Sequence, residues 1–279
     1  MSPSTFTTPP PKLQDAKISF PAPTILLINL NRPDALNCIS IPGHYELQAL
    51  YSWFDTEPSL RVAILTGEGR AFCAGADLKE WHEANKPHAP ASTQERVIPA
   101  SGFGALSRRG GKKPVICAVN GVCFGGGTEM IINADIVIAE RHAVFGLPEV
   151  KIGVVALAGA LTRLVRTVGR QRAMEMALTG RTVPAEEARE WGLVNKVVEK
   201  GESVNEAIKI AEAIALTSPD SMIVTREGIK MGWEGIGAEE GTRLLMENWY
   251  GRMDKGENMR EGVASFVEKR KPNYVPSKL

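Results

Sequence analysis

The stretch GVCFGGGTE (Gly121–Glu129) decides the fold, because it marks the point where a buried strand turns into a helix. The run before it, PVICAVN (114–120), is short, apolar and β-branched, which is typical of a buried strand. The run after it, EMIINA (129–134), reads as a helix. Three consecutive glycines cost conformational entropy at such a junction. We therefore expect either a tight packing turn or a backbone N–H that contacts a ligand.

The segments on either side of this turn repeat the same alternation. TILLINLN (24–31) and RVAILTGE (61–68) are β-rich runs bounded by Pro, Asn and Gly, and PGHYELQALYSWFDTE (42–57) between them has helical spacing. DIVIAE (135–140) follows the helix after the glycine turn. Strands that alternate with helices predict an α/β core with helices on the faces of the sheet.

The last third of the chain has a different character. From Ala160 onward, successive segments carry helical periodicity, and several end in glycine as helices often do. One β run, LVNKVVE (193–199), interrupts them. We expect these helices to close a ligand site or to pack against another subunit. The connection from Trp81 to Lys113 is polar and rich in proline, and long irregular connections are usually functional or mobile.

The overall composition excludes several classes of protein. The 279 residues are 43% hydrophobic and 23% charged, and the formal net charge is +1. This balance argues against nucleic acid as a partner, and the absence of a long apolar run argues against membrane insertion. The four cysteines have no paired spacing, and the four histidines show no metal-ligand pattern. We expect reduced, packing thiols and no metal site.

Both ends of the chain carry predictions. Residues 1–22 are rich in Ser, Thr and Pro at their start and predict a flexible N-terminal tail rather than a targeting peptide. The chain ends in Ser277, Lys278 and Leu279, and a C-terminal SKL is read by the peroxisomal import receptor. We therefore expect an exposed targeting tail at 275–279, the import receptor as a partner, and the peroxisomal matrix as the location.

Two glycine-rich turns are candidates for the chemistry, GVCFGGGTE and GEGRAFCAGADLKEW (67–81). Small residues let the backbone approach a bound group, and two converging N–H donors can hold negative charge on a carbonyl oxygen. The helix after Gly126 would add its dipole. Neither turn fits a P-loop or a dinucleotide fingerprint, and no Gly-x-Ser-x-Gly elbow occurs. We expect no separate cofactor.

Two glutamates stand out among the carboxylates. Glu129 begins the helix after the glycine turn, and Glu149 follows the β-like run AVFGLPEV. Both lie among apolar residues at strand exits, on the side where open α/β sheets place ligands. Two nearby carboxyl groups in an apolar site cannot easily both ionise, so one stays protonated near neutral pH.

AFCAGADLKEW, AVNGVCFGGGTEM followed by ADIVIA, and FGLPEVKIG together resemble the enoyl-CoA hydratase/isomerase (crotonase) family. NRPDALN and FVEKRKPNY fit the two ends of the family pattern. The resemblance implies an α/β fold, a crotonase-like ββα spiral core at 23–205 with a C-terminal helical (trimerisation) region at 206–274. It also implies homotrimers, commonly stacked as hexamers, and an acyl-CoA thioester as substrate, with coenzyme A part of that substrate.

The resemblance also implies a site. Carried over by position, the amides of Ala76 and Gly126 hold the thioester oxygen, and Glu129 and Glu149 hold the water that adds across the C2=C3 bond. We assign Glu149 as proton donor to C2 and Glu129 as the base that orients water. The residues expected to bind substrate and CoA are Ala35, Ala74, Ala76, Asp77, Leu78, Lys79 and Gly126, with Phe266 and Lys269 at the adenine and phosphates, in this or a neighbouring subunit.

The chain departs from the family pattern after KIG, where a glycine-rich turn is replaced by Val154-Val-Ala-Leu-Ala-Gly-Ala160. We expect this change to alter the helix entry beside Glu149 and the acyl pocket. The leading hypothesis is a peroxisomal enoyl-CoA hydratase. Another crotonase reaction, such as double-bond isomerisation or dehydration of a hydroxyacyl-CoA, stays open. So does an acyl-CoA-binding scaffold without catalytic activity.

Overall fold

The structure, a computed structural model, describes residues 6–84 and 98–279. The middle of the connection between Trp81 and Lys113, which we expected to be functional or mobile, lies outside the described residues. The strands are β1 Ala16–Ala22, β2 Ile25–Leu30, β3 Val62–Gly67, β4 Ala71–Cys73, β5 Val115–Val119, β6 Val122–Phe124, β7 Ile136–Glu140, β8 Val144–Gly146, β9 Val183–Pro184 and β10 Lys196–Val198.

The helices of the N-terminal half are short, apart from the first. They are α1 Ile41–Thr56, α2 Leu78–Ala84 and α3 Gly126–Ile132, with 3-10 turns at Pro33–Ala35, Phe103–Ala105 and Pro148–Ile152. The C-terminal helices are α4 Ala160–Val168, α5 Arg170–Thr179, α6 Ala185–Glu190, α7 Ser203–Ala215, α8 Pro219–Trp233, α9 Ala238–Leu245, α10 Gly251–Met253 and α11 Glu257–Val267. A π-helical turn, Met246–Tyr250, joins α9 to α10.

The strands form two sheets, and the two strands of each successive pair are divided between them. The larger sheet has the order β1-β2-β3-β5-β7-β10, and the smaller has the order β4-β6-β8-β9. In each of the pairs β3/β4, β5/β6 and β7/β8, the first strand enters the larger sheet and the second enters the smaller one. A helical segment follows each pair, so the chain advances as a spiral of ββα units, as expected.

Side chains alternate along the central strands and fill two cores. In β3, Val62 and Ile64 face one cluster, whereas Ala63 and Leu65 face the other. The first cluster lies under α7, which contributes Ala207 and Ala211. Because α7 begins at Ser203 and packs on the larger sheet, the predicted division of the core at 205/206 falls inside this helix.

The prediction of a flexible tail over 1–22 is also wrong where the structure describes that segment. Ala16–Ala22 form β1, which pairs antiparallel with β2. Phe6 packs on Phe20 with ring centroids 4.7 Å apart and on Trp53 at 5.4 Å. The segment is held because the rings of Phe6 and Phe20 pack on Trp53 of α1, which polar composition alone does not reveal.

The C-terminal tail, predicted to be exposed, instead lies against the helices. The Ser277 hydroxyl donates a hydrogen bond to Asp220 of α8, and Lys112 Nζ donates one to the carbonyl oxygen of Leu279. Ser277 and Leu279 are half-buried, whereas Lys278 is exposed. The tail therefore has polar partners on the chain itself, which its sequence did not predict.

No helix in the described parts of the chain is both long and apolar enough to cross a membrane. On α11, Phe266 and Val267 are largely exposed, at 85% and 74%. These apolar side chains give the C-terminal helices an uncovered face.

Candidate active site

Each glycine of the GGG run meets a different neighbour. Gly125 has a φ of +54°, and a Cβ there would lie 3.1 Å from Oε1 of Glu149. A Cβ on Gly126 would lie 2.5 Å from ring atoms of Phe103, and one on Gly127 would lie 2.2 Å from the carbonyl oxygen of Cys73. Gly127 is therefore a packing glycine, whereas Gly125 and Gly126 keep the backbone open beside the candidate chemistry.

The second glycine turn lies next to the first. Gly75 has a φ of +102°, and a Cβ there would lie 3.4 Å from the amide nitrogen of Gly126. Ile39 donates to the Gly75 carbonyl at 3.0 Å and accepts from the Asp77 amide at 3.3 Å, so the intervening Ala76 amide takes no part in this bridge. Within the described ranges, the amides of Ala76 and Gly126 donate to no acceptor. Two adjacent free donors suit a developing oxyanion.

Glu129 lies in the first turn of α3 and is only 4% exposed. Its Oε2 accepts a hydrogen bond of 3.0 Å from the amide of Ala160, the first residue of α4. Burial and, to a smaller extent, the Glu149 carboxylate raise the pKa of Glu129 to about 7, against the opposing effect of hydrogen bonds from the amides of Ala160 and Ala158. The carboxyl group is thus close to half-ionised at neutral pH, which suits a general base.

Glu149 begins the 3-10 turn Pro148–Ile152 after β8. Its Oε1 faces Gly125, and its Oε2 is buried with no hydrogen-bond partner in the described parts of the chain. Burial raises the pKa of this carboxyl group. A buried oxygen without a donor cannot easily carry charge, so the environment favours the protonated acid.

Phe103 closes the side of the site opposite Glu149. Its ring covers Gly126, and its edge meets the ring of His44 at a centroid distance of 4.6 Å. Nδ1 of His44 accepts a hydrogen bond of 2.9 Å from the Gly104 amide. Burial lowers the pKa of His44 to about 4, so this imidazole is neutral and supports the turn rather than carrying a proton.

These elements bring two free amides, the buried carboxyl group of Glu129 and the half-buried one of Glu149 to one edge of the smaller sheet. A model of the family described as enoyl-CoA hydratase/isomerase matches residues 22–276. The chain belongs to the enoyl-CoA hydratase/isomerase family. The predicted resemblance is confirmed, and with it the fold.

Two curated relatives and one solved structure show where the chain lies within the family. The chain is 55% identical to mevalonyl-coenzyme A hydratase SIDH of Beauveria bassiana, over 99% of this chain and 100% of that protein. It is 52% identical to mevalonyl-coenzyme A hydratase sidH of Aspergillus fumigatus, over 96% and 98%. The enoyl-CoA hydratase structure from Mycobacterium tuberculosis H37Rv has a TM-score of 0.85 and 34% identity, and the match covers 94% of this chain and 99% of that one.

Several residues predicted to bind CoA lie close to the amides of Ala76 and Gly126. Ala74 and Asp77 flank Gly75 and Ala76, and Leu78 and Lys79 begin α2 with exposed side chains. The Asp77 carboxylate accepts a hydrogen bond of 2.9 Å from Arg32, which lowers its pKa and commits its side chain to the loop rather than to a ligand. CoA binding by the backbone of this segment stays a prediction.

The remaining predicted CoA residues are spread more widely. Ala35 ends the 3-10 turn Pro33–Ala35, whose neighbour Asn37 accepts from the Arg32 amide and donates to the carbonyl of Ala71. Phe266 lies on α11, which packs on α8, and Lys269 follows α11 with an exposed side chain. The described contacts do not bring Phe266 or Lys269 to Glu129 within one chain. Their role at the adenine stays a prediction.

The altered turn after Gly153 has a different neighbour from the one expected. We predicted that Val154 to Ala160 would change the helix entry beside Glu149. The entry of α4 instead hydrogen-bonds Glu129 through Ala160, whereas Val154 donates to the Glu149 backbone carbonyl at 3.0 Å. Leu157, the added leucine, is 80% exposed. The turn therefore holds the side chain of one glutamate and the backbone of the other.

Sequence reasoning missed Phe103, Ser107 and Arg32. The only signal for the first two was the pair of glycines around Phe103 in SGFGALS, which we took as part of an irregular connection. The thiols of Cys73 and Cys123 lie in β4 and β6 beside the site, and burial raises the pKa of both, that of Cys73 to about 12. They are packing residues, as expected, rather than nucleophiles.

Proposed function

We propose that this family member adds water across the C2=C3 bond of a 2-enoyl-CoA, with mevalonyl-CoA as the hydrated partner. The observation that carries the reaction is the pair of carboxyl groups of Glu129, which is buried, and Glu149, which is half-buried, beside the free amides of Ala76 and Gly126. A hydratase needs both a base for water and an acid for C2, and this site has one carboxyl group in an environment suited to each role.

The two amides would polarise the thioester carbonyl and make C3 electrophilic. Glu129, whose ionised form accepts backbone N–H bonds, takes a proton from water as the water oxygen bonds to C3. Glu149, whose Oε2 lacks a donor, supplies its proton to C2 as the enolate collapses. After the reaction the pair still carries one proton, which is now on Glu129 instead of Glu149. The same steps in reverse dehydrate a 3-hydroxyacyl-CoA.

The choice of acyl group rests on the relatives. Two proteins named mevalonyl-coenzyme A hydratase are 55% and 52% identical to this chain over nearly its full length, whereas the M. tuberculosis enoyl-CoA hydratase is 34% identical. Mevalonyl-CoA carries a methyl and a hydroxyl group on C3 and a second hydroxyl at the chain end. A pocket for it must accept a branch at C3, and the altered turn ends at Ala160, whose amide binds Glu129.

The test compares purified protein on mevalonyl-CoA, on its dehydrated 3-methyl-2-enoyl partner and on an unbranched 2-enoyl-CoA. Absorbance of the conjugated enoyl thioester reports the reaction, and mass spectrometry identifies gain or loss of one water. We expect kcat/KM for the branched pair to exceed that for the unbranched ester. The reverse order would overturn the substrate assignment.

The alternatives give different products. An isomerase would convert a 3-enoyl-CoA into a 2-enoyl-CoA without any change in mass. A scaffold would bind CoA esters and turn over none of them. Full activity in the Glu129→Gln, Glu149→Gln double variant would exclude the proposed acid and base.

We also propose a homotrimer or hexamer in the peroxisomal matrix. The exposed Phe266 and Val267 of α11 support self-association, because large exposed apolar side chains on one helix mark an interface. Ser277 to Leu279 support import by the SKL receptor. Light scattering on the purified protein tests the first, and microscopy of an N-terminal fluorescent fusion with and without the last three residues tests the second.

A further inference from the structure

Ser107 is a fully buried serine between the two halves of the site, with 0% of its surface exposed. Its hydroxyl accepts a hydrogen bond of 2.8 Å from the Phe103 amide and donates one of 2.6 Å to the carbonyl oxygen of Ala158. One hydroxyl group therefore joins the turn that carries Phe103 to the segment that leads into α4.

On the Phe103 side, the hydroxyl fixes the backbone of the residue whose ring covers Gly126. The next amide, that of Gly104, is held by His44 of α1. The ring position relative to the Gly126 amide thus depends on two hydrogen bonds, and Ser107 provides the first.

On the Ala158 side, the hydroxyl fixes the segment that binds Glu129. The amides of Ala158 and Ala160, here called the Glu129 cradle, both stabilise the ionised carboxyl group. The two segments pack without space for another side chain, because a Cβ on Gly159 would lie 2.7 Å from Cγ of Arg108 and 3.1 Å from the Ser107 carbonyl oxygen. A Cβ on Gly102 would lie 2.3 Å from the Ser107 hydroxyl.

We propose that Ser107 is a positioning residue for hydration, which sets the Glu129 cradle relative to the oxyanion amide of Gly126. The inference rests on the proposed role of Glu129 as base. A misplacement of about 1 Å in a catalytic group can cost about a hundredfold in rate, so a single hydroxyl that spans both halves of a site can matter without touching substrate.

The direction of the effect follows from the groups around Glu129. If the cradle loosens, the ionised form of Glu129 loses two donors and its pKa rises. The His44 imidazole is neutral, as are the two thiols, and Arg163 donates to the Gly159 carbonyl and pairs with Glu234. Glu149 therefore remains the neighbour that couples to this titration. α3 packs against α4, the turn Phe103–Ala105, β4 and β6, whose titratable and charged groups are Arg163, Arg166, Cys73 and Cys123, and Arg166 donates to the Trp233 carbonyl.

The experiment measures kcat, KM and the pH profile of kcat/KM for Ser107→Ala and Ser107→Cys. The control is Ser203→Ala at the start of α7, which also removes a buried hydroxyl. That hydroxyl donates a hydrogen bond of 2.9 Å to Glu140 at the end of β7. We expect Ser107→Ala to lower kcat about tenfold or more, with little change in KM, and to move the acidic limb to higher pH. Ser203→Ala should lose stability and keep the wild-type profile.

Ser107→Cys keeps nearly the same side-chain volume and weakens both hydrogen bonds. It therefore tests the role of the hydroxyl even if the alanine variant does not fold. We expect the same shift of the limb to a smaller extent. If both folded variants keep the wild-type kcat and limb, or if only the cysteine variant folds and keeps them, Ser107 is merely structural and the inference fails. If Glu129→Gln retains full activity, the proposed base fails instead, whatever the Ser107 variants show.

Discussion

The backbone amide of Ala160 donates a hydrogen bond of 3.0 Å to Oε2 of Glu129, which lies 31 positions earlier in the chain. The first residue of α4 thus contacts a carboxyl group in the first turn of α3. The altered turn after Gly153 ends at this amide, so the segment in which the chain departs from its family also controls its candidate base.

Replacing Glu129 by glutamine should stabilise the protein at neutral pH. Burial raises the pKa of Glu129 from 4.5 to about 7 in the folded chain, so the folded state binds this proton more tightly than the unfolded one. The stability that protonation provides is complete below the unfolded pKa and is lost as pH rises through about 7. Glu129→Gln removes the titration and should gain up to about 3 kcal/mol at neutral pH relative to wild type.

Urea unfolding of both proteins from pH 5 to pH 8 checks this. The two free energies of unfolding should diverge as pH rises. Parallel curves over this range would mean that Glu129 has no raised pKa in the folded state.

The pH profile of kcat/KM should be bell-shaped. Glu129 must be ionised to accept a proton from water, so activity rises with pH through its pKa of about 7. Glu149 must be protonated to supply C2, so activity falls as this group ionises, and burial moves that loss to higher pH than for an exposed glutamate. The two groups interact, so the limbs belong to the pair. Residual activity of Glu129→Gln should lack the acidic limb, and persistence of that limb would assign it to another group.

Gly126→Ala should lower both activity and stability. The new Cβ would lie 2.5 Å from the Phe103 ring, so either the ring or the amide has to move. Displacing one oxyanion donor typically costs about a hundredfold in kcat or more. In the Phe103→Leu background the methyl group has more space, so the loss of stability should be smaller than in the single variant.

A thermodynamic cycle over the two positions measures this coupling. Gly232→Ala in α8 is the control, because a Cβ there meets nothing within 4 Å. Additive effects of the Gly126 and Phe103 substitutions would show that the ring does not limit the space at Gly126.

Periodicity was enough to predict the strands of the larger sheet. TILLINLN, RVAILTGE and DIVIAE correspond to β2, β3 and β7, because strands buried on both faces are continuous apolar runs. The smaller sheet was harder. Its strands β4, β6 and β8 have three residues each, too few to show a period, and their pairing depends on the spiral that the larger sheet sets up.

The site could be predicted only in part for the same reason. Glu129 and Glu149 stood out through their position after apolar runs and through the family motifs. Phe103 and Ser107 did not, because their role comes from contacts with Gly126 and Ala158, which are distant in sequence. The packing of the C-terminal tail could not be predicted either, because Asp220 and Lys112 hold it through single hydrogen bonds that no local pattern reveals.

Lys112→Ala should strengthen binding to the peroxisomal import receptor. The receptor reads a free C-terminal SKL, and in the folded chain Lys112 holds Leu279 while Asp220 holds Ser277. A ligand whose binding-competent form is only partly populated binds more weakly by that fraction, so removing one contact should raise the apparent affinity.

Fluorescence anisotropy with the purified receptor measures this against a free peptide of the same last residues, with exposed Lys200→Ala as the control. Equal affinity of wild type, variant and peptide would show that docking of the tail costs nothing. A full-length chain that does not bind while the peptide does, even as Lys112→Ala, would count against the proposed peroxisomal location.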